Sequence, residues 1–289
     1  MTHRELYLWT RQALSEAGIE DPGVEAMVLF GHFFSLDRGA LAVHGAEETD
    51  PARETLLREA VARRQQRTPL QYILGSWEFM GLALAVGPGV LCLREDTAVL
   101  VEAAAQELAG LSAPVGADLC AGTGAVGLGV CSRIPEARVT CVELSEEAFP
   151  YLEKNAAAYP RYRVTARLGD VLDPATAEAF GRETLDFLVS NPPYVRRGEI
   201  PSLQPEVRQE PLLALDGGGD GLVFYRALCA HWLGCLKPGG LLGVEIGEDQ
   251  GEAVCRLFAA AGLQQIEVRK DWAGLDRAVL GRKTATPRA

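Results

Sequence analysis

The sequence predicts an α/β fold whose sheet is mostly parallel, preceded by a small helical domain. Two observations predict this architecture. From residue 95 onward, short apolar runs alternate with stretches of helical spacing, as expected for a parallel sheet covered by helices on both faces. Residues 1–75 contain no comparable strand and instead show helical stretches at about 3–17, 22–35 and 51–66. A helical bundle is therefore expected before the α/β segment.

The helical segment carries its own start signals. Asp21-Pro22 and Asp50-Pro51 each combine an N-cap residue with a proline at the first helical position. The densest cluster of positive charge, from Arg58 to Arg67, falls on the third helix. We expect a solvated helix face there.

Residues 76–93 are predicted to form a β-hairpin that links two domains. Two short strand-like runs flank Gly81, and Gly87-Pro88-Gly89 then breaks the chain. We therefore divide the sequence into a helical bundle at 1–75, a hairpin linker at 76–93 and an α/β domain at 94–289.

The α/β domain has a regular alternation of elements. Its strands are predicted near 115–120, 138–142, 162–168, 185–190, 240–246, 264–270 and 277–281. Its helices are predicted near 95–110, 124–133, 145–158, 220–235 and 249–261. Because the last two strands follow each other closely, they predict an antiparallel hairpin at the edge of the sheet.

Composition narrows the classes of function. The chain has 289 residues and a net charge of −11. This acidity argues against stable binding to nucleic acid, which depends on Lys and Arg neutralising phosphates. No apolar run approaches the ~20 residues needed to span a bilayer, and the first residues lead into a helical pattern without a signal-peptide core. The seven cysteines form no C-x-x-C pair and indicate reduced core thiols, not a metal site. We expect a cytoplasmic protein that binds neither a metal nor a membrane.

The most informative stretch is Asn191-Pro192-Pro193-Tyr194, which directly follows an apolar strand. Two prolines fix φ and remove two N–H donors, so they predict a stiff turn. Ligands bind at the carboxyl ends of strands in open α/β sheets. An amide side chain and backbone carbonyls held there can accept hydrogen bonds from a planar NH₂ group. The loop therefore suggests methylation of an amide or amine nitrogen, although a proline-rich loop without chemistry is the simpler alternative.

A glycine loop predicts the cofactor half of the site. Gly122, Thr123 and Gly124 follow the first strand of the α/β domain and open a helix, in the outline of a dinucleotide-binding loop. Asp118 precedes the glycines, and a carboxylate at that place suits a cationic ammonium group. This favours S-adenosylmethionine over a nicotinamide dinucleotide, whose pyrophosphate would bind the helix N-terminus.

Two carboxylates end the next two strands. Glu143 is placed to accept both ribose hydroxyls, a role that serves NAD as well as S-adenosylmethionine. Asp170 is placed to reach an adenine amino group, and an ordinary turn or cap residue is an equal alternative for it.

With these features in this order, the chain resembles class I S-adenosylmethionine-dependent methyltransferases acting on amino nitrogen. More specifically, it resembles the HemK/PrmC family of protein-(glutamine-N5) methyltransferases, which act on translation release factors. The resemblance covers about residues 60–282 and includes further matching stretches. These are Thr68–Gly75, Glu206–Arg208, Glu210-Pro211, Ala214–Leu222, Leu236–Gly240, Glu245–Gly247, Gln250-Gly251 and Arg269–Arg277.

The chain departs from the family pattern in one turn. The family has a segment of the type Leu-Ile-Pro-Arg-Pro-Asp/Glu-Thr-Glu after the hairpin, whereas this chain has Leu91–Ala98. Arg94 and Thr97 match, but both prolines and the final glutamate are absent. The rigidity of the turn and its closure over the methionine end of the cofactor are therefore open. In the hairpin, Met80 stands where the family has Trp.

The resemblance implies a Rossmann-like class I methyltransferase fold with a seven-stranded sheet over 94–289 and a helical bundle that docks the substrate. It implies that S-adenosylmethionine binds and leaves as S-adenosylhomocysteine. The implied cofactor-binding residues are Arg94, Thr97, Asp118, Gly122, Thr123, Gly124, Glu143, Leu144, Asp170, Val171 and Asn191.

The resemblance also implies how the methyl acceptor is held. The Asn191 side-chain oxygen and the Pro192 carbonyl each accept one N–H of the substrate amide, Tyr194 packs against the amide plane, and Pro193 completes the substrate-binding loop. The implied partner is a class I peptide chain release factor, whose Gly-Gly-Gln loop carries the glutamine. Three alternatives remain open: a ribosomal protein as substrate, an adenine-N6 DNA methyltransferase, and a non-catalytic cofactor-binding module.

Overall fold

The computed structural model describes residues 1–284, which divide into two units. The first unit comprises residues 1–75 together with the short segment 204–209. The second comprises residues 76–203 and the chain from residue 210 onward. The segment 204–209 thus belongs to the helical unit although it lies far along the α/β part of the sequence.

The first unit contains five α-helices. They are α1 (His3–Glu16), α2 (Pro22–Phe34), α3 (Arg38–His44), α4 (Pro51–Gln65) and α5 (Leu70–Leu74). The three predicted helices correspond to α1, α2 and α4, whereas α3 and α5 are too short to show a clear period in the sequence. Asp50 caps α4 as expected, because its side chain accepts the N–H groups of Ala52 and Arg53.

Arg64 connects the bundle to the segment 204–209. Its guanidinium lies 2.6 Å from the Glu25 carboxylate and 2.8 Å from that of Glu206, and Arg67 lies 3.0 Å from Glu206. The Gln209 amide donates to the Gln66 carbonyl at 2.9 Å. The expectation of a solvated helix face was wrong for Arg64, which is only 6% exposed. Its guanidinium can be buried because the carboxylates of Glu25 and Glu206 compensate the cost of its desolvation.

The second unit begins with a two-stranded hairpin, β1 (Ser76–Phe79) and β2 (Leu82–Ala85). The two-residue turn is Met80-Gly81, with φ of 52° and 80°. Positive φ at both positions is the property of a type I′ turn, whose twist matches that of the strands. Met80 therefore occupies a left-handed position that usually favours Gly, Asn or Asp.

A seven-stranded sheet forms the centre of the second unit. Its strands are β3 (Val115–Leu119), β4 (Arg138–Glu143), β5 (Arg163–Leu168), β6 (Leu185–Ser190), β7 (Leu236–Glu245), β8 (Leu263–Lys270) and β9 (Asp276–Lys283). The order across the sheet is β5-β4-β3-β6-β7-β9-β8, and β9 runs in the opposite direction to the other six strands. This confirms the predicted α/β class and the predicted hairpin at the sheet edge.

Helices cover the sheet. They are α6 (Ala98–Leu108), α7 (Ala125–Arg133), α8 (Phe149–Ala158), α9 (Pro174–Glu178), α10 (Val223–Ala227) and α11 (Gly251–Ala260). The predicted helix near 220–235 is broken into α10, a π-helical turn at 228–232 and a 3₁₀ turn at 233–235. Trp232 in the π turn is fully buried and donates its indole N–H to the Val171 carbonyl at 3.0 Å.

The strands β3 and β6 are adjacent and parallel. From β3 the chain continues to β4 and β5 on one side of the sheet, and from β6 it continues to β7, β8 and β9 on the other side. The Ser190 hydroxyl donates to the Leu119 carbonyl at 2.6 Å and ties the carboxyl ends of these strands together. A crevice opens at such a switch point, and it is where open α/β sheets bind ligands.

Over residues 1–284, no single helix is both long and apolar enough to cross a membrane. The pair α2 and α3, bent by 70°, meets that test of length and composition when the two are taken together.

Candidate active site

A cavity of about 920 Å³, including its open mouth, lies at the carboxyl ends of β3 to β6. Predicted residues in its wall are Arg94, Thr97, Gly122, Thr123, Glu143, Leu144, Asp170, Val171, Asn191 and Pro193. All of these residues belong to the second unit.

The glycine loop forms the floor beside β3. Gly122 and Gly124 have φ of 54° and 81°, conformations that glycine adopts without strain. A Cβ on Gly124 would stand 2.6 Å from the Leu152 side chain, so the loop is also packed too closely for a larger residue. The Asn155 amide donates to the Thr123 carbonyl at 2.9 Å and fixes the loop from α8. Gly124 itself is not part of the cavity wall.

Asp118 lies beneath this loop and not in the cavity wall. Its side chain is 1% exposed, and its Oδ2 accepts the Gly127 N–H of α7 at 2.8 Å. Burial raises the pKa of Asp118 to about 7, against the effect of the Gly127 hydrogen bond. Oδ1 has no hydrogen-bond partner. Asp118 therefore acts on the site through the backbone of the loop and the start of α7.

Glu143 and Asp170 project into the cavity from the ends of β4 and β5. The two Glu143 oxygens accept the N–H groups of Gly122 and Ser145, each at 2.7 Å. These bonds fix the carboxylate in one orientation and leave each oxygen a further lone pair. Asp170 accepts the Leu172 N–H with Oδ1 at 2.8 Å, which makes it a turn residue as well as a wall residue.

Two residues of the Asn-Pro-Pro-Tyr loop, Asn191 and Pro193, line the cavity. The Asn191 Nδ2 donates to the Thr97 hydroxyl at 3.2 Å. Pro192 is buried, and neither Pro192 nor Tyr194 lines the cavity. The Tyr194 phenol donates to Oε1 of Glu245 at 3.3 Å, and burial raises the pKa of Tyr194.

The segment 216–222 supports the loop from behind. Val195 pairs with Asp216 in a parallel bridge, and the Gly217 N–H donates to the Val195 carbonyl at 2.9 Å. A Cβ on Gly217 would stand 2.7 Å from the Tyr194 Cα, and one on Gly221 would stand 2.5 Å from the Tyr194 carbonyl oxygen. The glycines are therefore needed for this close backbone contact.

Glu210 holds the turn at 91–98, whose rigidity the sequence left open. Its carboxylate accepts the Cys92 N–H at 2.8 Å and pairs with the Arg94 guanidinium. The Glu210 side chain is 1% exposed, so this is a buried anchor. It supports the turn without the prolines of the family pattern.

Several cavity residues were not predicted from the sequence. They are the linker residues Gly89–Leu93, the loop residues Cys120 and Ala121, and the segment residues Pro211, Leu213 and Ala214. Cys120 has a φ of 62°, which is uncommon for a residue other than glycine. A positive φ at a cysteine leaves no mark in composition or residue spacing. The only signal in the sequence for Cys120 is its position beside the glycine loop.

The comparisons with known proteins agree with this geometry. Residues 5–75 match the family described as PrmC N-terminal domain, and residues 87–223 match the methyltransferase small domain. A release factor glutamine methyltransferase of Moorella thermoacetica is 43% identical over 93% of this chain and 97% of its own length. The enzyme of the same name from Geobacter sulfurreducens is 39% identical over 97% and 96%.

Among solved structures, a methyltransferase of Pyrococcus furiosus superposes with a TM-score of 0.51 and 16% identity over 81% of this chain and 100% of its own. That likeness shows the fold of a methyltransferase. The two curated relatives match over nearly their whole length, both structural units included, and therefore show more than the fold. The chain belongs to the release factor glutamine methyltransferase family.

Proposed function

We propose that this protein transfers a methyl group from S-adenosylmethionine to the side-chain amide nitrogen, N5, of a glutamine in a peptide chain release factor. The single observation that carries the proposal is the position of Asn191. Its amide lies in the wall of the cavity, on the stiff loop that ends β6, at the switch point of the sheet. The names of the curated relatives support the same reaction.

The residues around the cavity fit S-adenosylmethionine. We propose that Glu143 binds the ribose hydroxyls and that the remaining Asp170 oxygen binds the adenine amine; the position of both residues in the cavity wall supports this. The loop at Gly122–Gly124 leaves room for the ligand, since a Cβ on Gly122 would meet only Val90 at 3.6 Å. Arg94, Thr97, Leu144 and Val171 complete the proposed wall. When bound, the cofactor supplies an electrophilic methyl group on a sulfonium.

We propose that Asp118 supports the cofactor site without contacting the cofactor. A direct contact with the ammonium group of the cofactor was the expectation from the sequence. Because the carboxyl is buried under the loop and bonded to Gly127, we now assign it the role of holding the loop and the start of α7.

The Asn-Pro-Pro-Tyr loop orients the substrate. A glutamine nitrogen is a poor nucleophile, since its lone pair is delocalised into the carbonyl. We propose that the Asn191 Oδ1 and the Pro192 carbonyl each accept one N–H of that amide, that Pro193 shapes the space around it, and that Tyr194, outside the cavity wall, supports the loop through its contact with Glu245. These acceptors direct the nitrogen at the methyl group and stabilise the positive charge that develops on it. The proton leaves after the nitrogen is alkylated, so no strong base is needed before attack.

We also propose that the glutamine belongs to the Gly-Gly-Gln loop of a class I release factor. Two glycines beside the reacting residue allow the substrate backbone to enter a narrow cavity. The helical unit is proposed to bind the rest of the release factor, and it exposes apolar side chains at Leu8, Val24, Val43 and Leu56. Because release factors act in translation, we also propose that the reaction takes place in the cytoplasm.

Mass spectrometry of a purified class I release factor, incubated with this protein and S-adenosylmethionine, tests the proposal. We expect a gain of one methyl group, mapped to the glutamine of the Gly-Gly-Gln loop. Duplex DNA and a ribosomal protein offered in parallel serve as the competing substrates. Methylation of either one in preference to the release factor would overturn the assignment.

A further inference from the structure

A buried amide, the side chain of Gln250, lies directly before α11 and contacts the last residue of the Asn-Pro-Pro-Tyr loop. Gln250 is 3% exposed. Its Nε2 donates to the Tyr194 carbonyl at 3.0 Å and to the Gly221 carbonyl at 3.3 Å. Its Oε1 accepts the Gly247 N–H at 2.9 Å and lies 3.3 Å from the Tyr225 hydroxyl. Both N–H groups of this amide and its oxygen therefore have partners inside the protein.

The partners of Gln250 fix which end of its amide faces the loop. Carbonyl oxygens only accept hydrogen bonds, and a backbone N–H only donates. An amide turned by 180° would bring its oxygen against two carbonyls and its NH₂ group against the Gly247 N–H. Because the two ends of an amide have nearly the same shape, these hydrogen bonds, and not packing, set the orientation.

Gln250 is also anchored to the turn that follows β7. Its backbone N–H donates to the Gly247 carbonyl at 2.9 Å, and the Gly247 N–H donates back to the Gln250 side chain. This reciprocal pair closes the turn between β7 and α11. Since β7 lies next to β6 in the sheet, the turn has a fixed position relative to the strand that carries the loop.

Gly221 shows how closely the three segments meet. A Cβ on Gly221 would stand 2.5 Å from Gln250 Nε2 and 2.5 Å from the Tyr194 carbonyl oxygen. An ion pair between Arg196 and Asp249, at 2.7 Å, joins the same segments but is exposed and contributes little. The buried amide is therefore the main polar link between the loop, the segment 216–222 and the turn before α11.

We propose that Gln250 is a positioning residue, which holds the Asn-Pro-Pro-Tyr loop through the Tyr194 carbonyl and so sets the position of Asn191. Because Pro192 and Pro193 fix φ between these two loop residues, a displacement at one end of the loop is passed to the other. Neither Gln250 nor Tyr194 lines the cavity, so Gln250 acts only through the loop. The inference rests on the proposed function in one respect, namely that Asn191 receives the substrate amide.

A second buried amide, Asn155 in α8, provides a matched control. Asn155 is 1% exposed, and its Nδ2 donates to the Thr123 carbonyl in the glycine loop at 2.9 Å. It also bonds the backbone of Ala85 in both directions, at 2.7 and 3.0 Å. Each amide thus holds one loop of the site: Asn155 holds the loop on the proposed cofactor side, and Gln250 holds the loop on the acceptor side.

The first test needs no substrate and follows hydrogen exchange in the full-length protein by mass spectrometry. Gln250→Met keeps the length of the side chain but has no N–H to donate. We expect it to speed exchange in the segment 195–197, which donates two backbone hydrogen bonds to carbonyls of the segment 215–218, and to leave the segment 121–128 unchanged. Asn155→Leu should give the reverse pattern. Unchanged exchange at 195–197 in Gln250→Met would overturn the proposal, whatever the protein methylates.

The second test measures turnover on a class I release factor. We expect Gln250→Met to lower kcat by roughly 10- to 100-fold through misplacement of Asn191. The Kd for S-adenosylhomocysteine should stay within about two-fold, because Gln250 does not line the cavity. Asn155→Leu should instead weaken S-adenosylhomocysteine binding by roughly 3- to 10-fold and keep most of kcat at saturating cofactor. The same pattern in both variants, or a Gln250→Met effect confined to KM, would contradict positioning of the loop.

Thermal unfolding identifies a variant that does not fold. Gln250→Asn then carries both tests, since its amide is one methylene shorter and cannot reach the loop and the turn at once. We expect the same pattern from it with a smaller amplitude, and wild-type exchange and kcat in Gln250→Asn would overturn the proposal. A wild-type protein that methylates no release factor would refute the proposed function, and the exchange test then decides alone whether Gln250 holds the loop.

Discussion

Gly217 lies so close to Tyr194 that a Cβ on the glycine would stand 2.7 Å from the Tyr194 Cα and 2.8 Å from the Pro193 carbonyl oxygen. Both neighbours are backbone atoms and cannot turn away as a side chain would. The shape of the Asn-Pro-Pro-Tyr loop therefore depends on a segment more than twenty residues further along the chain as well as on its own two prolines.

Gly217→Ala is expected to displace the loop and lower turnover. The added methyl group should cost roughly 1–3 kcal/mol of stability, the usual cost of overpacking. Cofactor affinity should change much less than kcat, because Gly217 does not line the cavity. Gly219→Ala, two residues on, is the matched control, since a Cβ there meets nothing within 4 Å. Equal effects of the two substitutions would show that the contact with Tyr194 is unimportant.

Glu143→Ala is expected to weaken binding of S-adenosylhomocysteine. The carboxylate holds Gly122 and Ser145 and is proposed to receive the ribose hydroxyls. Loss of hydrogen bonds to a charged group should cost roughly 1.5–3 kcal/mol in calorimetry. Glu153→Ala on the exposed face of α8 should bind normally. Normal affinity in Glu143→Ala, or tight NAD binding by the wild type, would refute the proposed cofactor site.

Glu210→Ala is expected to loosen the turn at 91–98. It removes the buried acceptor of the Cys92 N–H and the partner of Arg94, both of which line the cavity. We expect roughly 1–3 kcal/mol less stability and a weaker affinity for S-adenosylhomocysteine. Glu102→Ala removes a similar ion pair with Arg133, but at the surface, and should have little effect on either quantity. Unchanged affinity in Glu210→Ala would show that the turn does not hold the cofactor.

The buried Asp118 carboxyl makes the stability of the folded protein depend on pH. The folded protein holds the Asp118 proton up to a pKa of about 7, whereas an unperturbed Asp carboxyl has a pKa of about 3.9. Between these values the folded state binds more protons than the unfolded state, so this group makes stability fall as pH rises. The contribution is at most about 1.4 kcal/mol per pH unit.

Urea unfolding of Asp118→Asn and wild type at pH 4 to 8 measures this contribution. The variant should become more stable relative to wild type as pH rises to about 7, and the difference should then level off. A difference that does not change with pH would show that the Asp118 carboxyl is ionised throughout. Glu245, whose pKa burial also raises to about 7, contributes with the same sign in both proteins.

Much of the fold could be predicted from the sequence, because strands and helices in an α/β domain differ clearly in period and length. The predicted ends of β3 to β6 were correct to within one or two residues, and the same holds for the predicted ends of β8 and β9. The segment 204–209 could not be assigned to the helical unit, since its contacts are ion pairs with Arg64 and Arg67, far away in sequence. The sequence also contained no signal for the break in the predicted helix near 220–235.

Residues of the cavity wall could be predicted where they lie at or just beyond the end of a strand, as Glu143, Asp170 and Asn191 do. Residues that support the site from other segments were not predictable. Glu210 and Gly217 act through backbone contacts, and Glu245 lies one strand away from the loop that it contacts. Such roles depend on distances between segments, which residue spacing does not contain. Asp118 was placed correctly beside the glycine loop, but its burial beneath that loop was not foreseen.

In the proposed mechanism, the Asn191 side chain orients the glutamine amide for attack. Single-turnover methylation of a release factor by Asn191→Ala, with cofactor affinity measured in parallel, tests it most directly. We expect the rate of methyl transfer to fall by roughly 100-fold or more while S-adenosylhomocysteine still binds. A variant that transfers the methyl group at nearly the wild-type rate, or that loses only affinity for the release factor, would contradict the account.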